Sequence, residues 1–301
     1  MGSAKIEPVV KWSGSKRSQA AAIVARMPKE IDTYYEPFCG GCSVLYRLLR
    51  TPITKVKRYV ASDLNADLIA LWNMIKDNPE ELIKGYAELW NVFNRHAGEE
   101  DYERRKEVFY TIRDRYNKDH SPIDFLFIMR TTTNGMPRYN GDGKFNNSCH
   151  FSRPGIAPKR LKDILLDWSR RLNVCDVEFV CRPYQCITPN PNDIVYLDPP
   201  YMAVQRHQMY FGGIDQNAFF EWLRTLKCRW LLSYDGRRGD ADYTYSVPKD
   251  LYQKHEYLNS GNSSFERYLG QGRTEKVYES LYMNYINKPQ PHISQGELFE
   301  W

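Results

Sequence analysis

Short segments rich in aromatic and β-branched residues alternate along the chain with segments in which apolar residues recur three and four positions apart. The first kind of segment predicts strands at 33–36, 58–62, 177–181, 194–197, 229–233 and 277–285. The second kind predicts helices at 43–49, with Ser43 as the cap, and at 161–172 and 217–225. Strands that alternate with helices predict a mostly parallel sheet covered on both faces, which is an α/β fold.

The middle of the chain has a different pattern. From Ala66 to about Asn117, apolar residues at helical spacing are mixed with many charges, and 124–130 predicts a buried helix. Residues 131–158 are polar, with Gly141-Asp142-Gly143 as a predicted hairpin turn. We therefore expect a helical insertion at 67–159 within a sheet domain made of 1–66 and 160–287, followed by a tail at 288–301.

Composition and charge narrow the class of protein only slightly. The 301 residues allow a sizeable core, and the net charge of +5 is compatible with a polyanionic partner. No apolar run approaches the roughly 20 residues that a membrane span needs, and the first residues lack the apolar core of a signal peptide, so we expect a cytoplasmic protein without a membrane partner. Seven scattered cysteines, with one CxxC pair at Cys39 and Cys42, predict reduced thiols and no metal site.

Asp198-Pro199-Pro200-Tyr201 directly follows an apolar strand, at the carboxyl end where open α/β sheets bind ligands. Such a loop suits methylation of an aromatic amine, whose nitrogen lone pair is delocalised into the ring. Asp198 and the carbonyl of Pro199 would hold the two N–H groups and free the lone pair, and the two prolines stiffen the loop. Tyr201 offers a flat face on which a base would stack. The alternative is an ordinary strand-ending turn, in which Asp and Pro are common.

A glycine turn, Glu36-Pro37-Phe38-Cys39-Gly40-Gly41-Cys42-Ser43, lies between the first strand and the first predicted helix. Glycines there let the backbone approach a ligand closely. The chain has neither GxGxxG nor GxxxxGK[ST], so dinucleotide and triphosphate sites lack support. Asp63, at the end of the second strand, is placed to accept hydrogen bonds from a ribose diol. The alternative is a structural turn with an unrelated acidic residue.

A third motif, Lys11-Trp12-Ser13-Gly14-Ser15-Lys16, places a basic residue on each side of an aromatic one; the alternative is an exposed lysine pair beside a core tryptophan. In order, KWxGxK, EPFxGG, DxN, NGxxRYN and DPPY resemble the Dam-type (D12 class) DNA adenine-N6 methyltransferases, from Val9 to Tyr285. The resemblance implies a Rossmann-like sheet that binds S-adenosyl-L-methionine and carries a helical target-recognition insertion. It also implies double-stranded DNA as the partner, in a bacterial or phage-infected cell.

The resemblance also implies roles for individual residues. The catalytic loop would be Asp198, Pro199, Pro200 and Tyr201, onto which the target adenine is flipped. The cofactor would be bound by Trp12, Ser13, Gly14, Lys16, Glu36, Pro37, Phe38, Gly40, Gly41, Ser43, Asp63, Tyr184 and Asp198. Among these, Trp12 and Lys16 would line its methionine end, Asp63 would bind its ribose and Tyr184 would flank its adenine. Two positions depart from the family pattern, because Pro183 replaces a frequent Asp and Cys42 a frequent Gly.

The DNA contacts implied by the resemblance are Lys11, Thr133, Asn134, Met136, Arg138, Asn140 and Arg153. Arg138 matches a residue that reads a guanine edge, and its alternatives are a phosphate contact or a surface charge. Thr133 stands where family members that recognise GATC often carry an aromatic residue, and 146–153 also diverges. The sequence therefore does not predict GATC as the target.

The last residues, with Gln295, Leu298 and Phe299, resemble peptides that dock on bacterial sliding clamps; the alternative is that Leu298 and Phe299 pack on the protein itself.

Two other functions stay open for the protein as a whole. One is methylation of another amine, such as an RNA base or a protein glutamine, and the other is that of a catalytically silent DNA-binding protein. Enzymes of the first kind favour Asn before Pro-Pro-Tyr and lack the insertion. A silent protein would have no reason to keep Lys16, Asp63, Asp198 and Tyr201 together.

Overall fold

The computed structural model describes residues 8–12, 14–95, 101–132, 137–150, 152–200, 214–262 and 276–286. The helices within these residues are α1 Ala20–Val24, α2 Ser43–Leu49, α3 Ala66–Asp77, α4 Pro79–Phe93, α5 Asp101–Asp119, α6 Pro122–Thr131, α7 Pro158–Val174 and α8 Gln216–Thr225. The strands are β1 Glu30–Pro37, β2 Lys55–Asp63, β3 Glu178–Cys181, β4 Ile194–Leu197, β5 Arg229–Arg238, β6 Ala241–Asp242, β7 Lys254–Asn262 and β8 Lys276–Met283. None of the helices described combines the length and the hydropathy needed to cross a membrane.

One mixed sheet forms the centre of the fold, with strand order β3-β2-β1-β4-β5-β8-β7 and β6 paired with β5. The first five strands of this order run parallel, whereas β8 lies antiparallel between β5 and β7. The predicted Rossmann-like α/β fold with a mostly parallel central sheet is confirmed. The strand order reverses between β1 and β4, so their carboxyl ends flank the crevice in which such sheets bind ligands.

Residues that alternate along the central strands point into two apolar cores, one on each face of the sheet. Tyr34 and Tyr196 belong to the core under α3 to α7, while Tyr35, Val195 and Leu197 belong to the core under α8. This follows from the two-residue period of a strand and explains why β4 is apolar at every position. The inserted helices share the first core, where Trp72 of α3 stacks on Phe179 of β3 with ring centroids 5.6 Å apart.

The structure differs from the sequence-based expectations in several elements. The helical segment predicted from 66 to about 117 consists of α3, α4 and α5, and Pro79 begins α4 because a helix tolerates proline in its first turn. Ser43 is the first residue of α2 rather than its cap, and the capping position is held by Cys42 with φ 51°. Helix α1 and strands β6 and β7 were not predicted. The hairpin turn at Gly141-Asp142-Gly143 is confirmed by the bridge between Tyr139 and Phe145.

Candidate active site

A buried lysine connects the N-terminal motif to the predicted catalytic loop. The side chain of Lys16 is only 3 % exposed, and its Nζ lies 2.8 Å from Oδ1 of Asp198 and 3.3 Å from Oε2 of Glu279. It also donates to the carbonyl oxygen of Gly14 at 2.9 Å. Burial by itself would lower the pKa of Lys16, but attraction to the two carboxylates outweighs it and raises that pKa to about 12. Lys16 is therefore a permanent cation held against Asp198.

Asp198 is positioned by strand β4, which is buried along its whole length. The residue directly follows β4, so its side chain lies at the edge of the sheet where the parallel strands end. Pro199 is buried behind it, and Pro200 is half-buried. Tyr201, the last residue of the predicted loop, lies outside the described residues. The structure thus brings Asp198 and Lys16 together, as expected for two residues of one site.

The glycine turn after β1 is tied to the end of β2. The backbone N–H groups of Phe38 and Cys39 donate to the carbonyl oxygen of Ser62 at 2.9 and 3.0 Å. Gly40 has φ +44°, and a Cβ added there would lie 2.8 Å from Cδ1 and Nε1 of Trp12, so the indole packs directly on the glycine backbone. Glycine is required at this position both by conformation and by space.

Asp63 ends β2 on the same edge as Asp198, with β1 between them in the sheet. Its Oδ2 accepts from the N–H of Gly40 at 3.1 Å and its Oδ1 from the N–H of Asn65 at 3.0 Å. Burial raises the pKa of Asp63 and these backbone donors oppose the rise. The predicted ribose-binding carboxylate is therefore fixed against the glycine turn.

An aromatic cluster stands on the other side of the turn. The rings of Phe38 and Tyr184 lie 5.4 Å apart, and Tyr184 contacts Phe219 and Trp222 of α8 at 5.3 and 4.8 Å. Phe38 and Tyr184 were predicted as cofactor contacts, whereas Phe219 and Trp222 were not, because helical spacing alone assigns them to the core. Together they form an apolar wall near Asp63.

Glu36 is the second predicted carboxyl of the turn and is 3 % exposed. The hydroxyl of Tyr34 donates to its Oε2 at 2.6 Å. Burial raises the pKa of Glu36 to about 8, against the hydrogen bonds from Tyr34 and from the backbone of Leu45. Glu36 is therefore mostly protonated at neutral pH. Beside it, Ser43 Oγ lies 2.9 Å from Ser15 Oγ and links the N-terminal motif to α2.

Two further residues of the site were missed by sequence reasoning. Glu279 lies on β8, where its acidic side chain in an alternating strand was the available signal. Asp235 lies within a shift of register in β5, where a Cβ on Gly236 would lie 2.4 Å from the carbonyl oxygen of Tyr278. Burial raises the pKa of Asp235 to about 6, with Glu279 and Asp198 adding to the rise and Lys16 and Arg238 opposing it. Asp235 is thus part of the same electrostatic cluster.

A basic group lies where the N-terminal segment meets the insertion. Burial lowers the pKa of Lys11, and repulsion from Arg153 and Arg130 lowers it further. Arg153 donates to the carbonyl oxygen of Thr132 at 3.3 Å, and Arg130 donates to that of Pro8. The predicted DNA contacts Lys11 and Arg153 are therefore neighbours, and Arg130 joins them as a residue that sequence reasoning missed.

Arg138 is exposed on the hairpin of the insertion. Its backbone N–H donates to Oδ1 of the buried Asn147 at 2.6 Å, and its carbonyl oxygen accepts from the N–H of Asn146 at 2.9 Å. Asn140 uses its Oδ1 inside the turn, where it accepts from the N–H groups of Asp142 and Lys144 at 3.1 and 2.9 Å. The backbone around Arg138 is thus fixed while its side chain faces outward.

The remaining predicted contacts lie outside the described residues. They are Ser13, Thr133, Asn134, Met136, and Gln295, Leu298 and Phe299 of the tail.

Comparison with known proteins identifies the family to which the chain belongs. The model of the D12 class N6 adenine-specific DNA methyltransferases matches residues 12–263, most of the chain, and the chain therefore belongs to this family of adenine-specific DNA methyltransferases. The resemblance drawn from the five motifs is confirmed.

Individual relatives have low sequence identity to this chain but align with it over long segments. The type II methyltransferase M.MjaIII of Methanocaldococcus jannaschii is 29 % identical over 308 residues, 93 % of this chain and 100 % of that protein. The DNA adenine methylase of Escherichia coli is 29 % identical over 199 residues, 64 % of each chain. Among solved structures, the rRNA methyltransferase aviRa from Streptomyces viridochromogenes covers 94 % of this chain and 92 % of its own at 13 % identity and a TM-score of 0.38.

Proposed function

We propose that the protein transfers the methyl group of S-adenosyl-L-methionine to N6 of an adenine flipped out of duplex DNA. The proposal rests on the ion pair between Asp198 and the buried ammonium of Lys16, whose atoms Oδ1 and Nζ are 2.8 Å apart. The pair lies at the edge of the sheet where the parallel strands end. The adjacent lysine cation favours the ionised form of Asp198 over the protonated form. An ionised carboxylate is the acceptor that an exocyclic amine needs.

The residues at this edge of the sheet have the chemistry needed to bind S-adenosyl-L-methionine. A carboxylate has about four acceptor positions, and the N–H groups of Gly40 and Asn65 engage one position on each oxygen of Asp63. The carboxylate is thus oriented by the backbone to receive a hydroxyl group. Trp12 on the glycine turn and the ring pair of Phe38 and Tyr184 offer apolar surfaces for the rest of the molecule. When bound, the cofactor supplies the electrophilic methyl group.

The protein's own contribution to the reaction is positioning. Oδ1 of Asp198 faces Lys16, so we assign the other carboxylate oxygen to one N–H of the target amine and the carbonyl of Pro199 to the second. Holding both N–H groups aligns the nitrogen lone pair with the incoming methyl group. Tyr201 is proposed as the platform on which the base stacks.

DNA binding is assigned to Lys11 and Arg153, which lie near the buried Arg130, and to the exposed Arg138. A mutually repulsive set of cations gains most from an anionic partner, and repulsion among them already lowers the pKa of Lys11. We accordingly propose 67–159 as the target-recognition region and 1–66 with 160–287 as the cofactor-binding, catalytic region. The recognised sequence is not assigned.

The test is methylation of unmethylated plasmid DNA by the purified protein, followed by long-read sequencing that identifies the modified base and its context. Asp198→Ala should abolish methylation while calorimetry still detects cofactor binding, because Asp63 and the aromatic cluster are untouched. Glu178→Gln, at the exposed start of β3 and away from this edge, is the matched control for loss of a carboxylate and should keep most of the activity. Near wild-type methylation by Asp198→Ala would refute the assignment, and modified cytosine in place of adenine would refute the substrate.

A further inference from the structure

Tyr139 connects the hairpin that carries Arg138 to the sheet domain. Its ring faces that of Phe145 across the hairpin, with ring centroids 5.8 Å apart. Its hydroxyl oxygen accepts a hydrogen bond from Nδ2 of Asn65, the residue that precedes α3, at 3.4 Å. The side chain is half-buried and packs against the core under α3 to α7. One tyrosine thus contacts both the hairpin of the insertion and the segment that follows β2.

Asn65 is in turn joined to Asp63, the proposed ribose-binding carboxylate. The N–H of Asn65 donates to Oδ1 of Asp63 at 3.0 Å. The side-chain oxygen of Asn65 accepts from the N–H of Leu68 at 2.9 Å and so caps α3. Because that oxygen is held by the cap, the nitrogen of the same planar group has a fixed place beside Tyr139. Asn65 therefore bonds to the carboxylate through its backbone and to the hairpin through its side chain.

The hydroxyl of Tyr139 also reaches a helix of the insertion. It hydrogen-bonds to the hydroxyl of Tyr116 on α5, and Tyr116 donates its own proton to Asp67. Since a hydroxyl has a single proton, Tyr139 is the donor to Tyr116 and the acceptor from Asn65. The hydrogen bonds between Asp63 and the insertion therefore form a continuous series that passes through the hydroxyl of Tyr139.

The hairpin is held together in a way that links Tyr139 to Arg138. Asn117 of α5 accepts from the N–H of Phe145 at 2.8 Å and donates to the carbonyl oxygen of the same residue at 3.0 Å. Arg138 directly precedes Tyr139, and both its N–H and its carbonyl oxygen are hydrogen-bonded to the opposite side of the hairpin. The position of Tyr139 therefore determines the position of the Arg138 backbone.

We propose that Tyr139 is a positioning residue through which the binding of cofactor and the binding of DNA strengthen each other. The proposal rests on the proposed function, in which Asp63 binds the ribose and Arg138 contacts DNA. A hydroxyl on Asp63 favours the arrangement in which Asn65 bonds to Tyr139, and DNA on Arg138 favours the same arrangement from the other end. Linkage then requires each ligand to lower the Kd of the other by the same factor. One neutral hydrogen bond limits this factor to about tenfold.

The experiment measures Kd for S-adenosylhomocysteine, the cofactor without its transferable methyl group, so that no reaction occurs. Calorimetry on the full-length protein gives this Kd alone and with saturating duplex DNA that carries the methylated site found by sequencing. The coupling factor is the Kd without DNA divided by the Kd with DNA. We expect a factor of about three to ten for wild type. Fluorescence anisotropy of the same duplex, with and without S-adenosylhomocysteine, should give the same factor.

Two variants remove the contact from opposite sides. Tyr139→Phe keeps the ring against Phe145 and removes the hydroxyl, and Asn65→Ser keeps an oxygen that can cap α3 and removes Nδ2. Each should bring the coupling factor close to one, and the double variant should show no further loss, as expected for groups that act through one contact. Tyr285→Phe, which removes the hydroxyl that donates to the carbonyl oxygen of Arg26 at 2.9 Å, is the matched control and should keep the wild-type factor.

A hydroxyl with a purely structural role would alter stability or the separate Kd values and leave the coupling factor unchanged. A wild-type coupling factor of one, or a wild-type factor in Tyr139→Phe, overturns the inference. If thermal unfolding indicates that Tyr139→Phe does not fold, Asn65→Ser decides by the same criterion. A wild-type protein that fails to bind S-adenosylhomocysteine or DNA overturns the proposed function instead, so the two failures are distinguishable.

Discussion

Glu36 offers a test of the structure that needs neither cofactor nor DNA. Its carboxyl is buried beside Tyr34, and burial raises its pKa from 4.5 to about 8. In the unfolded chain the same group titrates near its ordinary value. Between these two pKa values the native state therefore binds a proton that the unfolded state has lost, and the free energy of unfolding decreases as pH rises. The contribution is fully present below about pH 4.5 and is lost as pH approaches 8.

The size of this effect follows from the two pKa values. Each pH unit in the window changes the free energy of unfolding by about 1.4 kcal/mol, so the whole window is worth at most about 5 kcal/mol. Glu36→Gln replaces the protonated carboxyl with a neutral group of the same shape, and the hydroxyl of Tyr34 still finds a partner. The variant should lack this part of the pH dependence and become more stable than wild type toward pH 8.

Urea unfolding followed by tryptophan fluorescence at several pH values from 5 to 8.5 would measure the effect. The difference between variant and wild type isolates Glu36, because other titrating groups contribute equally to both proteins. Glu30→Gln, at the exposed start of the same strand, is the matched control and should run parallel to wild type. A Glu36→Gln profile that also runs parallel to wild type would show that the carboxyl is ionised in the native state, contrary to its surroundings.

Three further predictions concern binding. Gly40→Ala should weaken cofactor binding about tenfold or more and lower stability by about 1–3 kcal/mol, because the added Cβ strains the backbone and displaces the indole of Trp12. Calorimetry would measure the binding and urea unfolding the stability. The control is Gly143→Ala, at φ +74° with open space around it, which should lower stability without affecting cofactor binding. Arg153→Ala should reduce the slope of DNA affinity against salt concentration by about one counterion, as measured by fluorescence anisotropy, and an unchanged slope would exclude a phosphate contact. Leu298→Ala combined with Phe299→Ala should abolish capture by a bacterial sliding clamp in a pull-down; equal capture of both proteins, or capture of neither, would end that hypothesis.

Much of the site could be predicted because it depends on parallel strands that follow one another in the chain. Asp63 and Asp198 each come directly after an apolar strand, and the carboxyl ends of parallel strands meet at one edge. The apolar residues of β1, β2 and β4 form clear runs because both faces of these strands are buried. Local pattern was therefore sufficient to locate these two carboxylates.

The rest of the site and of the fold depends on contacts between segments that are distant in the sequence. Glu279 reaches Lys16 only because β8 pairs antiparallel with β5, a partnership that no local pattern encodes. Strand β7 was missed because polar residues such as His255 and Asn259 interrupt it, while pairing with β8 stabilises it. Helix α1 has five residues and is too short for a period to be recognised.

The position of β8 has a consequence for the synthesis of the protein. Lys16 is synthesised well before Glu279, so at about 5–20 residues per second the two are separated by roughly 13 to 53 seconds. During that interval the edge of β5 has no partner from β8, and exposed edges of this kind invite pairing with other chains. The addition of β8 is thus a late step of folding, which both covers the edge of β5 and completes the charged cluster beside Asp198. A nascent chain would acquire the complete charged cluster only after Glu279 has been made.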